Sequence, residues 1–91
     1  MAGKNVDTGA LRQAAGALSK YISEISASIR KMNDAAQDCS DNMGSDVYSK
    51  KAIENLKTCV AELQKTMIEA EELRRRILKQ AQSVEESTQG Y

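Results

Sequence analysis

Apolar residues recur every seven positions along the first half of the chain. Leu11, Leu18, Ile25, Met32 and Cys39 form one series, and Ala15, Ile22, Ile29 and Ala36 form another, offset from the first by four and three. These are the d and a rows of a heptad, the spacing that keeps side chains on one side of an α-helix. A third row, Ala14, Tyr21, Ser28 and Ala35, flanks the seam at g. The apolar stripe is therefore wider than a two-stranded coiled coil needs, and suits a bundle. After Asp46 the rhythm resumes. Ile53, Val60, Met67 and Ala81 fall on a, Leu56, Leu63, Ala70, Ile77 and Val84 on d, Cys59 and Leu73 on g, and Leu78 on e. Arg74 breaks the series at an a position. Its stem can cover apolar surface while its head reaches water, or a polar a residue can set register.

Between the two arms, Cys39-Ser-Asp-Asn-Met-Gly-Ser-Asp-Val47 drops the pattern and gathers turn residues. Gly44 offers a backbone free to adopt positive φ. Asp7 or Thr8 can cap the first helix, and Ser45 or Asp46 the second, by accepting from an orphan N–H of the first turn. The spacing predicts a helix over about 8–40, a turn over about 41–45, a helix over about 46–86 and a frayed tail at 87–91. Glu71–Arg75 and Glu72–Arg76 have the i,i+4 order that supports a solvated helix face. Gly16 falls on the outer face. The expected architecture is all-α: one domain spanning 1–91, an antiparallel two-helix hairpin that pairs into a four-helix bundle.

Composition narrows the picture further. Pro, Phe and Trp are absent, and aromatics are 3% of the chain, all Tyr, which argues against a β-sandwich or barrel. Basic and acidic residues balance at 13 each with no His, so no basic field exists to attract nucleic acid. No apolar run reaches the ~18 residues that would suggest a membrane span. The opening Met-Ala-Gly-Lys-Asn-Val-Asp lacks the apolar core of a secretory signal peptide, so synthesis in the cytoplasm is expected. Cys39 and Cys59 are expected to be free thiols. In a hairpin turning near Met43 they would be offset by roughly 18 Å along the axis, too far for a disulfide.

No chemistry emerges from the side chains. Without His there is no Ser–His or Cys–His arrangement, and no residue to complete a zinc site with two cysteines. Ser19-Lys20 and Ser49-Lys50 are sequence neighbours that point in different directions on a helix. Gly9, Gly16 and Gly44 are too far apart for a phosphate loop, and Asp38, Asp41 and Asp46 do not have EF-hand spacing. The polar faces lack the strong basic character of a membrane-surface helix. No enzyme activity, cofactor, metal site or catalytic residue is expected.

Two helices side by side enclose no interior, and a domain this small with one thin core is marginal. A second hairpin laid on the first would cover the flanks, so a dimer with itself or with a similar hairpin is expected. The residues expected to form the seam and partner interface are Leu11, Leu18, Tyr21, Ile22, Ile25, Ile29 and Met32 on the first arm. On the second they are Ile53, Leu56, Val60, Leu63, Met67, Leu73 and Ile77.

The chain resembles the WXG (ESAT-like) small helical hairpins of bacterial type VII secretion, from about Val6 to Ser87. Val-Asp-Thr-Gly-Ala-Leu-Arg-Gln-Ala-Ala is similar to the start of the family's first helix. Asn42-Met43-Gly44 stands where the family has Trp-x-Gly, and Ser-Asp-Val-Tyr-Ser-Lys-Lys-Ala-Ile is similar to its second-helix start. The sequence departs from the family at two places. Asn42 occupies the Trp position, and Val84 stands about where the Tyr of a Tyr-x-x-x-Asp/Glu export signal would be. The resemblance implies a four-helix-bundle dimer, homo- or heteromeric, that is an export substrate or a targeting partner. Such a partner binds a similar hairpin or the helical N-terminal region of a larger secreted toxin. The alternative is an unrelated helical adaptor or structural coiled-coil subunit of a larger assembly.

Overall fold

The computed structural model describes residues 7–42 and 46–89. It contains two helices, α1 (Thr8–Asn42) and α2 (Val47–Gln89), packed against each other as a hairpin with no strand among the described residues. The two helices have 35 and 43 residues. At ~1.5 Å per residue α2 alone is about 64 Å long, which accounts for the 68 × 16 × 14 Å extents of the molecule. The radius of gyration is 20.4 Å, against about 12 Å for a compact domain of this length.

Both helices begin in the same way. The Asp7 carboxylate accepts from Ala10 N–H at 3.1 Å, and its backbone carbonyl accepts from Leu11 N–H at 3.0 Å. The Asp46 carboxylate accepts from Ser49 N–H at 2.7 Å, with its carbonyl accepting from Lys50 N–H at 3.0 Å. Of the alternative caps, the structure thus uses Asp7 and Asp46, each bonding the third residue of its helix. Gly9 sits under the first cap. A Cβ there would lie 3.1 Å from the Asp7 carboxylate oxygen.

The helix ends differ from expectation in two places. α1 continues through Asp41 and Asn42, and Gln37 helps by donating to the Asp41 carboxylate at 3.0 Å. The expected turn therefore loses its first two residues, while Met43, Gly44 and Ser45 lie outside the described residues. α2 continues to Gln89, so 87–89 are helical where a frayed tail was expected. A tie across the open end of the hairpin explains the extension. Arg12 binds the Glu85 carboxylate through two N–H groups, at 3.0 and 2.6 Å. Gln82 also reaches Glu86 at 3.3 Å.

The core is thin. Its fully buried apolar residues are Ala15, Ile25, Val60, Ala70 and Ala81. All five are a or d residues, and three of them are alanine. The alanines let the helix backbones approach closely, but they contribute little apolar area. The chain exposes 6908 Å², about half of what an unfolded chain of this mass would expose, whereas even a 60-residue compact domain buries ~60%.

Candidate partner interface

The expected interface residues divide into two groups. Ile25 and Val60 are buried, at 5% and 9% exposure. Leu11, Leu18, Ile22, Ile29, Met32, Ile53, Leu56, Leu63, Met67 and Ile77 are partly covered. All of these are a and d residues, and the structure spends them on the seam between α1 and α2. Tyr21 and Leu73 are different. Each is 47% exposed, on g, outside the seam. In the turn motif, Asn42 is the exposed last residue of α1, while Met43 and Gly44 lie outside the described residues.

The two sides of the hairpin are unlike. Arg12 and Glu85 both occupy e positions, so their ion pair marks the side where the e rows of antiparallel helices face each other. That side is polar. It carries Arg12, Lys57, Glu71 and Glu85, with a shallow groove of about 370 Å³ bordered by Asn33, Ser40 and Lys57. A second groove of about 610 Å³ is lined by Ile22, Met67, Ile68, Glu71, Glu72 and Arg75.

The g rows therefore share the opposite side. On α1 they are Ala14, Tyr21, Ser28, Ala35 and Asn42, all exposed. On α2 they are Ala52, Cys59, Thr66, Leu73 and Gln80, of which Cys59, Leu73 and Gln80 are exposed. Charged residues make up 29% of the chain, yet none stands in these rows. The face is an uncharged strip whose two large apolar side chains are Tyr21 and Leu73. Ile22 shares its groove with Met67 through Arg75, which puts Tyr21 level with Leu73 across the hairpin.

Several features escaped the sequence reading. Ser49 is fully buried, and it lies one heptad before Leu56, at d. Extending the row backwards finds it. Ile68, Val47 and Tyr48 are exposed at 58, 75 and 85%, and none falls on a seam or flank row. Cys39 and Cys59 are free, as expected.

The charges of α2 are arranged locally. Arg74, the a-position exception, is part-covered and donates to the Glu71 carboxylate at 3.0 and 2.6 Å. Its head is thus held at the seam edge by its own helix, which fits the covering role of its stem. Glu71 also accepts from Arg75 at 3.1 Å. The expected Glu72–Arg76 pair is absent from the ion pairs among the described residues, while Arg74 and Arg75 both bind Glu71.

These bonds set an acid limit on the fold. Hydrogen bonds from Ser49 N–H hold the Asp46 carboxyl below its ordinary pKa, Arg74 does the same for Glu71, and Arg12 for Glu85. A depressed folded-state pKa means stability that is complete above the unfolded value and lost as pH falls through the folded one. The urea midpoint is therefore expected to fall as pH drops from about 5 to about 2, through the ordinary carboxylate pKa values and below them. With no His in the chain, it should stay level from about pH 6 to pH 7. Asp46→Asn keeps a capping side chain and should flatten part of the acid slope. An unchanged slope in that variant would mean that Asp46 has no role in it.

No helix among the described residues is long and apolar enough to cross a membrane, and no group of three metal-ligating side chains occurs among them. No family model matches the chain, and neither a curated protein nor a solved structure matches it.

Proposed function

We propose that this chain works as one half of a helical assembly, as a WXG-like hairpin of type VII secretion. In this reading it is a small export substrate or a targeting partner. It binds a similar hairpin, or the helical N-terminal region of a larger secreted protein, and performs no catalysis. The observation that carries the binding role is the uncharged g face. A monomer has no reason to keep charge off an exposed strip that holds Tyr21 and Leu73, at 47% exposure each; a partner helix does. The link to secretion rests on the resemblance along the arms and on Gly44 after Asn42-Met43. Asn42 in place of Trp favours a second reading, a helical adaptor within a larger assembly.

The deciding experiment is co-expression with the protein encoded beside this one that has a helical N-terminal region, followed by fractionation of cells with and without the secretion ATPase. The secretion reading expects a stable one-to-one complex, or release of the chain that depends on the ATPase. Protein confined to the cytosol under both conditions, with no complex, would overturn it in favour of the adaptor.

A further inference from the structure

We infer that the Arg12–Glu85 pair is a latch on the open end of the hairpin. Closed, it holds the first turns of α1 and the last turns of α2 together. Released, these turns part while the rest of the seam stays packed. The apolar rows of this end, Leu11, Ala15 and Leu18 against Ile77 and Ala81, then open to water. The latch is a property of this chain by itself and does not rest on the binding role above.

Position gives the first argument. The chain joins the two arms at the tip, so their other ends can separate without moving the turn. Of the ion pairs among the described residues, Arg12–Glu85 alone links α1 to α2, and the other two lie within α2. Thr8 is four residues before Arg12 and Gln89 four after Glu85, so the pair sits about one turn inside both helix ends. The enclosed seam residues beside it are Ala15 and Ala81, which bury little apolar area. Further in, Arg74 interrupts the a row, its head held by Glu71. On the tip side, from Ile25 to Cys39 and from Ser49 to Ala70, the a and d rows carry no charge. Local opening begins where few apolar contacts resist it, and here that is the end the pair ties.

The second argument is the sign of the two charges. A helix favours acids near its N-terminus and bases near its C-terminus. Here the base stands near the start of α1 and the acid near the end of α2. The first turn of α1 has no acid and the last turn of α2 no base, so beyond the Asp7 cap neither end offsets the mismatch. Neither charge serves its own helix. Only the fork between the arms, at 3.0 and 2.6 Å, gives each a favourable partner. The reverse arrangement, acid on α1 and base on α2, would satisfy the pair and both helices at once. The chain carries the version that releases more readily. Both side chains are also exposed, at 49% and 37%, so dissolved salt and competing charged groups reach them.

The test is amide hydrogen exchange of the full chain at neutral pH, which reads local opening segment by segment. Arg12→Gln and Glu85→Gln should each speed exchange in 11–18 and 77–88 by about threefold, the scale that an exposed, well-formed pair supports. Exchange in 25–36 and 56–67 should not change. Helix dipoles acting alone give the opposite sign, slower exchange at the open end in both variants. Combining Arg12→Glu with Glu85→Arg should return the open end to the parent rate or below it. Raising NaCl to about 0.5 M should speed the same segments in the parent chain and have little effect on them in Arg12→Gln. Single variants with unchanged or slower exchange at the open end overturn the latch. Faster exchange along the whole chain also overturns it, because the pair would then support the hairpin as one unit. A charge swap that exchanges as fast as the single variants overturns the pairing.

Discussion

Ile25→Asp is expected to leave the chain largely unfolded at neutral pH. Ile25 is 5% exposed and is the only large side chain of α1 that is fully enclosed. It lies on d, mid-helix, against α2. The cation on a seam row, Arg74, is already held by Glu71 at the seam edge, so a carboxylate at Ile25 must be buried unpaired or push the helices apart. Burying an unpaired charge belongs to the small class of changes that cost more than about 3 kcal/mol. Small domains have little stability to lose. The measurement is far-UV circular dichroism with a urea titration, and Leu73→Asp is the matched control. Leu73 is 47% exposed, so its carboxylate would stay in water and the isolated hairpin should keep its midpoint. Equal loss in both variants would mean that folding and association cannot be separated in this chain. No loss in Ile25→Asp would remove the seam.

That contrast marks where the sequence was readable. Every fully buried residue among the described ones lies on an a or d row, because a seven-residue repeat can satisfy only one neighbouring helix. The two rows were therefore enough to find the hairpin. Tyr21 and Leu73 read as g residues flanking the seam, and the packing leaves both there, 47% exposed, because the two helices use their a and d rows on each other. Ser49 was missed: a small hydroxyl gives no apolar signal, yet at a d position where helices approach closely it is fully enclosed. The caps were narrowed to two candidates each, since Ser, Thr and Asp all offer an acceptor; backbone geometry then decided for Asp7 and Asp46. The far end of α2 was invisible to periodicity, because Arg12 and Glu85 stand 73 positions apart and their pairing follows from hairpin register alone.

Register also makes the open end the place where added bulk should do most harm. Arg12 faces Glu85, which puts Ala15 near Ala81 a turn further in. Both are buried, at 3% and 0% exposure. Buried alanines at this end let the backbones come closer than the larger residues of the seam would. Ala81→Leu adds three carbons where no surface is open, and overpacking of this kind costs about 1–3 kcal/mol. The strain should spread along the arm, since spreading the helices at this level also pulls Arg12 away from Glu85. Ala17→Leu is the control, because Ala17 is exposed on the outer side of α1 and should be close to neutral. A second substitution tests the pairing itself. Ala15→Gly alone should weaken α1 by about 1 kcal/mol, but combined with Ala81→Leu it opens room for the larger side chain. The two changes in urea midpoint should therefore be less than additive, as expected for residues that share one space. Strict additivity would mean that Ala15 and Ala81 do not touch. A rise in midpoint for Ala81→Leu alone would mean that the arms stand apart at the open end, with apolar space left to fill.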